Sequence, residues 1–323
     1  MSMPRIRIVA TGGTIAGAGS RPQSTQVYAS GALDVKDLCA AVPGLNELAQ
    51  VETEQFAALD SKNATPAFWR ALAVRLQELL DSEAVDGLVV THGTDTLEET
   101  AYYLHLVLKT RKPVVLVGAM RPATALSPDG PLNLFNAVTV AAAAEAADRG
   151  VLIAFNHGIF GARDATKVNA NRPDAFAAPN GGPLGLVQDG CVSWLARPDR
   201  MHTHATRFSC DTPLPPVEVL VGYAGASAAL IDAVGACGAR GLIWAGTGNG
   251  SASKEALAAL DRLRAAGLAV VRTTRTGSGC IPAGQGMVGA GTLSPWKARV
   301  LTMLALGAGC GEPQLLQSVF DTH

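Results

Sequence analysis

Residues 6–17 run Ile-Arg-Ile-Val-Ala-Thr-Gly-Gly-Thr-Ile-Ala-Gly, an apolar stretch that ends in a turn rich in threonine and glycine. Residues 87–96 follow the same plan, Gly-Leu-Val-Val-Thr-His-Gly-Thr-Asp-Thr. We expect a buried strand over 6–10 and another over 87–90, each followed by hydroxyl side chains. In open α/β sheets, ligands bind at the carboxyl ends of the strands. The two stretches therefore predict an α/β fold with threonine-based acyl-transfer chemistry at one sheet edge.

Apolar runs alternate with amphipathic segments along most of the chain, which predicts mostly parallel sheets flanked by helices. Further strands are expected over 112–117, 151–155, 217–221, 241–244 and 268–271. Helices are expected after Thr65-Pro66 and over 97–108, 131–147 and 295–306. Thr96 and Glu99 have the spacing of a capping box for the helix that begins at 97.

The length of 323 residues suits two domains better than one core. Over 197–216 the composition shifts to Arg, His, Thr, Asp and Pro with little periodicity. We therefore predict a larger N-terminal α/β catalytic domain over 1–196, a linker over 197–216 and a smaller C-terminal α/β domain over 217–323.

The charge and the cysteines limit the class of protein. A formal net charge of -1 gives no reason to expect a nucleic acid or membrane partner. The six cysteines are scattered, which favours buried free thiols and a cytoplasmic location, although an export leader removed earlier stays open. His202 and His204 have no cysteine or carboxylate at metal spacing, so we expect them on the surface rather than in a metal site.

Each threonine turn has a catalytic and a simpler interpretation. Gly12 and Gly13 let the backbone turn sharply, so the Thr14 hydroxyl can attack a carbonyl while nearby N–H groups hold the oxyanion. The same turn is also typical of a helix cap or an anion site. Thr94 and Asp95 fit a proton relay and an ammonium anchor, and equally a pair of helix-capping residues.

Two further side chains are candidates on weaker grounds. Lys167 lies in a polar loop after a strand, where most lysines are only solvated, and it can act as a base only if its surroundings disfavour the ammonium form. Tyr28 follows a stretch rich in Gly, Ser and Pro over 17–30, which is typical of a mobile lid and also of a passive surface loop.

Taken together, these segments resemble the bacterial-type L-asparaginases, including the glutaminase-asparaginases. The resemblance rests on residues 11–16 and 91–96, followed in the family's order by 118–122, 130–131, 163–167, 246–250 and 291–293. It covers nearly the whole chain. It implies a two-domain α/β fold, a homotetramer of close dimers, and hydrolysis of a side-chain amide through an acyl-threonine. It implies neither a cofactor nor a metal.

The resemblance also implies roles for individual residues. Thr14 matches the nucleophile, Tyr28 the lid tyrosine, and Thr94, Lys167 and Asp95 the second threonine, its lysine and the aspartate that holds the substrate ammonium. Ser61 matches the serine that binds the α-carboxylate, Ala119 a backbone carbonyl that faces the amide nitrogen, and Asn249 a residue from the neighbouring subunit. Either Tyr28 or the Thr94–Lys167 pair can take the proton of Thr14, and the sequence does not choose between them.

The sequence departs from the family pattern in two places that concern the substrate. Residues 273–289 hold no acidic residue, and Ser61 is followed by Lys62 and Asn63. Asparagine is the expected substrate, and weaker action on glutamine stays open. Ser82 and Thr110 stand where some exported relatives have cysteines, which favours the cytoplasm.

Two other functions would leave different features in the sequence. A subunit of an aminoacyl-tRNA amidotransferase would predict an appended domain or a basic tract, which this sequence does not show. A non-enzymatic amino-acid-binding module would predict the loss of Thr14, Thr94 or Lys167, and all three are present.

Overall fold

The computed structural model describes residues 3–284 and 286–323. The chain divides into two compact units, Met1–Thr206 and Arg207–His323. Each is built mainly from parallel strands and helices, so the predicted α/β class with a larger N-terminal part is confirmed. The narrower assignment of 197–216 as a linker stays a prediction.

The first unit contains most of the strands. Its strands are β1 (Arg5–Gly12), β2 (Gln50–Leu59), β3 (Gly87–Thr91), β4 (Val114–Val117), β5 (Val151–Phe155), β6 (Gly158–Gly161), β7 (Thr166–Lys167), β8 (Phe176–Ala177), β9 (Gly185–Gln188) and β10 (Cys191–Trp194). Its helices are α1 (Val35–Ala40), α2 (Leu45–Leu48), α3 (Pro66–Asp81), α4 (Leu97–Val107) and α5 (Gly130–Ala142).

An eight-stranded sheet organises this unit, in the order β10-β9-β6-β5-β4-β3-β1-β2. The strands from β2 to β5 run parallel, whereas β6, β9 and β10 add an antiparallel edge. Since β2 and β3 lie on opposite sides of β1, the strand order reverses between β1 and β3. Ligands in open α/β sheets bind at such a reversal, beyond the carboxyl ends of the strands.

The core of the first unit explains why its central strands are so apolar. Every residue of β3, β4 and β5 is buried, as expected for parallel strands covered on both faces. Ile6, Ile8 and Ala10 alternate along β1 and pack in one cluster with side chains of α1 and α5. Trp69 of α3 stacks on Tyr103 of α4 with 5.6 Å between ring centroids.

The helix boundaries confirm most of the local predictions and correct two. Thr65 caps α3 by accepting a hydrogen bond from the Phe68 N–H, with Pro66 at the first helical position. Helix α4 begins at Leu97 as expected, but the predicted capping box is wrong. The Thr96 hydroxyl makes no cap and instead donates to the Ser61 carbonyl over 2.8 Å. The helix predicted over 131–147 ends as an α-helix at Ala142.

The end of the first unit, 197–206, packs against α4. The Thr206 hydroxyl donates to the Leu106 carbonyl over 2.6 Å, and Lys109 Nζ donates to the Thr206 carbonyl over 2.6 Å. His202 is only 9% exposed. The expectation that it lies on the surface is therefore wrong.

The second unit has a four-stranded parallel sheet in the order β11-β12-β13-β14. Its strands are β11 (Val217–Val221), β12 (Gly241–Gly246), β13 (Ala269–Thr274) and β14 (Val288–Gly289), and its helices are α6 (Ala228–Ala236), α7 (Lys254–Ala265), α8 (Pro295–Gly307) and α9 (Pro313–Thr322). All six cysteines of the chain are free thiols, as predicted, but only Cys210 and Cys310 are buried. The expectation of burial is wrong for the other four, because three of them are exposed and Cys39 is half-buried. Across residues 3–284 and 286–323, no helix has the length and apolar character needed to cross a bilayer.

Candidate active site

The two threonine turns meet where the strand order reverses. Strands β1 and β3 pair directly, with Ala10 opposite Thr91, so both turns leave the same sheet edge. Gly13 has a φ of +83°, and a Cβ there would lie 2.4 Å from the Gly93 nitrogen. Only glycine accommodates both the positive φ and this close approach of two backbones. The glycines therefore bring the first turn against the second.

Thr14 begins a short 3-10 turn, Thr14–Ala16, directly after β1. Its side chain is buried at the cavity wall, and its Oγ1 lies 2.7 Å from the Tyr28 hydroxyl. Ala18 and Ala29 exchange two backbone hydrogen bonds of 3.0 Å, which fold the segment between them into a hairpin-like arm. A Cβ on Gly17 would lie 2.8 Å from the Tyr28 ring, so this glycine makes room for the phenol.

Thr94, Asp95 and Lys167 form the second group of side chains. Lys167 Nζ donates to Thr94 Oγ1 over 3.0 Å and to Asp95 Oδ1 over 2.6 Å. Thr94 is buried, and the Lys167 side chain is 16% exposed against 59% for Asp95. The lysine that the sequence placed in a polar loop therefore lies within a salt bridge, with its long stem covered.

Glu98, in the first turn of α4, holds this lysine in place. Its carboxylate accepts hydrogen bonds from the Thr166 hydroxyl over 2.8 Å and from the Lys167 backbone N–H over 3.3 Å. Glu98 is not predicted from the sequence, because an acidic residue in the first turn of a helix is ordinary. Its burial, at 5% exposure, appears only in the folded chain.

Ser61 follows β2 and lies close to Thr94 and Asp95. It is buried, it begins a 3-10 turn that follows the strand, and a Cβ on Gly93 would lie 2.6 Å from its Oγ. Its carbonyl accepts the Thr96 hydroxyl, which ties it to the start of α4. On either side of Ser61 in sequence, Asp60 and Lys62 form a salt bridge of 2.9 Å.

These side chains surround a cavity of about 160 Å³. Its lining consists of Gly13, Thr14, Gln26, Tyr28, Ser30, Asp60, Ser61, Lys62, Gly93, Thr94 and Asp95. This volume suits a small polar molecule better than a drug-sized one, whose sites measure about 300–1,000 Å³. Gln26 and Ser30 were not predicted, because only the folding of the 17–30 arm brings them to the cavity.

Two of the predicted site residues, Ala119 and Asn249, do not line this cavity. Ala119 is fully buried and lies just after β4, the strand that pairs with β3. Asn249 belongs to the second unit, on an exposed turn between β12 and α7. The roles assigned to Ala119 and Asn249 stay predictions.

The buried imidazole of His92 connects the second threonine turn to helix α4. His92 is 1% exposed, its Nδ1 lies 2.8 Å from the Gly93 carbonyl, and its Nε2 lies 3.0 Å from the Thr100 hydroxyl. Burial lowers the pKa of His92 to about 4, because the charged ring would lose its hydration. At neutral pH the ring is therefore uncharged and acts as a fixed hydrogen-bonding spacer between the turn and α4.

Both units match models of one protein family. Residues 5–200 match the N-terminal asparaginase domain, and residues 216–320 match the glutaminase/asparaginase C-terminal domain. The chain is 44% identical to L-asparaginase 2 of Bacillus subtilis (strain 168), over 99% of this chain and 87% of that protein. It is 41% identical to L-asparaginase 2 of Escherichia coli (strain K12), over 100% of this chain and 94% of that protein.

A glutaminase-asparaginase of Pseudomonas fluorescens biotype A is 41% identical over 94% of this chain and 86% of its own length. The fold agrees with the crystal structure of a "Probable Cytoplasmic L-asparaginase" from Campylobacter jejuni. That structure has a TM-score of 0.96 and 41% identity, and the match covers 99% of this chain and 100% of that one. This chain therefore belongs to the bacterial-type asparaginase family.

Proposed function

We propose that this protein hydrolyses the side-chain amide of L-asparagine to L-aspartate and ammonia through an ester on Thr14. One observation carries the proposal. Two buried threonine hydroxyls line one small polar cavity, and each is hydrogen-bonded to a side chain that can move or hold a proton, Tyr28 in one case and Lys167 in the other. Membership of the asparaginase family supports the reaction class.

In the first half-reaction, Thr14 Oγ1 attacks the carbonyl carbon of the side-chain amide. An O–C bond forms, the C–N bond breaks, and the proton of the Thr14 hydroxyl ends on the departing ammonia. Tyr28 can relay this proton, because its hydroxyl lies 2.7 Å from Thr14 Oγ1 and can accept one proton as it gives up another. An attacking hydroxyl needs such a partner to be effective.

The oxyanion that forms during the attack needs N–H donors from the two turns. The Gly13 N–H is already used, since it donates to the Leu59 carbonyl over 3.0 Å. We therefore assign the oxyanion contacts to other backbone N–H groups of the turns. In the second half-reaction water attacks the ester, its proton returns to Thr14 Oγ1, and aspartate leaves.

The charged groups of the cavity fit an amino acid at its α-carbon end. Asp95 lines the cavity and can meet the substrate ammonium while its Oδ1 stays bonded to Lys167. Ser61 supplies a hydroxyl for the α-carboxylate, and Ala119 supplies a backbone carbonyl for the amide nitrogen. Thr94 acts as the relay for the second proton transfer, held by Lys167 at 3.0 Å.

We further propose a cytoplasmic homotetramer of close dimers in which Asn249 serves the neighbouring subunit's cavity. Free thiols on all six cysteines support a reducing compartment, and the Campylobacter jejuni relative is named cytoplasmic. Glutamine is a slower substrate in this proposal, because residues 273–289 offer no carboxylate for a longer side chain.

The test is ammonia release from asparagine and from glutamine by the purified protein. The wild type should act faster on asparagine, Thr14→Ala should be inactive, and Thr14→Ser should keep part of the activity because it keeps a hydroxyl. Tyr28→Phe should lower kcat more than it changes KM. Full turnover by Thr14→Ala would disprove the mechanism, and a wild type inert towards both amides would favour the binding-module alternative.

A further inference from the structure

A second cluster of titratable side chains lies in the first unit, away from the residues that line the cavity. Asp148 lies just before β5, and His202 and His204 lie in the 197–206 stretch that packs on α4. Each of the three offers one ligand atom, and these atoms lie within 4.8 Å of one another. Among the described residues, no other group of three His, Cys, Asp or Glu side chains meets this spacing.

One distance within the cluster already equals the spacing of two ligands on a tetrahedral metal ion, and the other ligand atoms lie within 4.8 Å. His204 Nδ1 lies 3.4 Å from Asp148 Oδ1. Two ligands at about 2.0–2.1 Å from a tetrahedral zinc ion lie about 3.3–3.4 Å from each other. The two atoms face each other as an ion pair when His204 is protonated, but both are shielded from solvent and neither makes a hydrogen bond among the described residues. Shielded polar atoms without partners are costly unless something binds them.

Neighbouring groups orient the carboxylate. Arg111 Nη1 donates to Asp148 Oδ2 over 2.7 Å, and the Asp148 N–H donates to the Arg111 carbonyl over 2.8 Å. This double link leaves Oδ1 turned towards His204, and it is the kind of outer contact that fixes a metal-binding carboxylate. The other nearby guanidinium, on Arg149, donates to the carbonyls of Glu145 and Ala196 instead.

The His202 ring is fixed as well. Its Nδ1 is hydrogen-bonded to the Thr203 hydroxyl over 3.0 Å, which leaves Nε2 as the ring nitrogen for a ligand. The ring packs beside His105, with 5.4 Å between centroids. Gly150 has a φ of +70°, and a Cβ there would lie 3.1 Å from His202 Cγ and 2.4 Å from His105 Cε1. The backbone can therefore press against both rings only because residue 150 is glycine.

We propose that Asp148, His202 and His204 bind one divalent transition-metal ion, with zinc preferred. Two imidazoles and one carboxylate form a nitrogen- and oxygen-based donor set that suits zinc far better than magnesium. The Asp148 and His204 side chains are 40% and 30% exposed, so water can complete the coordination. The ion links residue 148 to residues 202–204, and its role is to hold the end of the first unit against the loop that precedes β5.

The experiment is a Co²⁺ titration near neutral pH, monitored by the visible absorption that distinguishes tetrahedral from octahedral cobalt. The protein carries no histidine tag, and its exposed thiols (Cys191, Cys237 and Cys280) are alkylated first, so that they cannot bind the ion. We expect one tetrahedral ion per chain, displaced by Zn²⁺ but not by excess Mg²⁺. Octahedral cobalt only, or the absence of saturable binding, would overturn the proposal.

Three variants test whether Co²⁺ binds to these side chains and not to another histidine. Asp148→Asn is nearly isosteric and tolerates the positive φ of 58° at this position, and His204→Asn removes the more exposed ring. Each should weaken Co²⁺ binding at least about 10-fold. His157→Asn, at an exposed histidine that also has a positive φ, should leave binding unchanged. Zn²⁺ should raise the Tm of the wild type and of His157→Asn but not of the two site variants. Equal binding by all four proteins would contradict the assignment.

Discussion

The two threonines at the cavity differ in the partners of their hydroxyls. The Thr14 hydroxyl faces the phenol of Tyr28 at 2.7 Å, whereas the Thr94 hydroxyl accepts a hydrogen bond from Lys167 at 3.0 Å. A hydroxyl that accepts from an ammonium group has an oxygen lone pair occupied, which makes it a poorer nucleophile and a better relay. A hydroxyl that can donate to a phenol keeps its lone pairs for attack. The contrast supports Thr14 as the nucleophile and Thr94 as the relay.

The two threonine turns also differ in the contacts that hold their shape. The first turn is shaped by its glycines, with Gly12 and Gly13 at φ values of +103° and +83°, and its side-chain hydrogen bonds are between uncharged groups. The second turn is held by side chains: the neutral ring of His92 beneath it and the Lys167 salt bridge beside it. The first turn should therefore tolerate changes of charge and pH, and the second should be sensitive to both.

The strongest test of this comparison is the position of the covalent intermediate. Thr14→Ala should lower kcat at least about 10⁴-fold and should never form the ester, because the attacking oxygen is gone. Thr94→Val should slow turnover yet still acylate Thr14. Mass spectrometry of enzyme quenched during asparagine turnover locates the aspartyl ester. An ester on Thr94 would reverse the roles proposed for the two turns.

Removal of the charge at the second turn should have the next largest effect. Lys167→Met should lower kcat by about 10³-fold, because Thr94 loses its hydrogen-bond donor and Asp95 loses its counter-ion. Lys62→Met is the matched control, since Lys62 forms the other lysine–aspartate salt bridge of the cavity, with Asp60 at 2.9 Å. The control should change KM more than kcat. If steady-state kinetics give both variants the same loss in kcat, Lys167 has no special role.

The sequence predicted the parts of the fold that depend on local pattern. The buried strands β3, β4 and β5 are uninterrupted apolar runs, and the Thr65-Pro66 start of α3 follows from capping chemistry alone. The capping box of α4 failed because a distant acceptor, the Ser61 carbonyl, takes the Thr96 hydroxyl. Periodicity also gave no sign of the antiparallel β6, β9 and β10 edge, because short strands resemble loops in sequence.

Local sequence patterns could not predict which site residues lie close together in the folded chain. The two threonine turns followed from strand ends, but Lys167 reaches Thr94 from 73 residues away, through Glu98 and the short strand β7. The histidines of the 197–206 stretch show the same limit. Their carboxylate neighbour, Asp148, is supplied by a loop more than fifty residues earlier, so no spacing rule within the stretch could find it.

Acid should affect the second turn before the first. The pKa of His92 falls from 6.5 to about 4 on burial, so the unfolded chain binds this proton more readily than the folded chain. The stability that depends on the neutral ring is complete above pH 6.5 and is lost as the pH falls towards 4, by about 3 kcal/mol at most. Denaturant unfolding across this range measures it. His92→Gln should flatten the pH dependence, and His157→Asn should leave it as in the wild type.

The smallest expected effect concerns Glu98, which acts on catalysis only by positioning Lys167. Glu98→Gln keeps the shape of the side chain but has only one acceptor oxygen. It can therefore accept a hydrogen bond from the Thr166 hydroxyl or from the Lys167 N–H, but not from both. We expect kcat to fall about 10-fold with little change in KM, and Glu99→Gln, one residue along α4, to be close to neutral. In the Lys167→Met background, Glu98→Gln should add almost nothing, because residues that act as one unit are not additive. A full additional 10-fold loss in the double variant would mean that Glu98 acts on the reaction by a route other than Lys167.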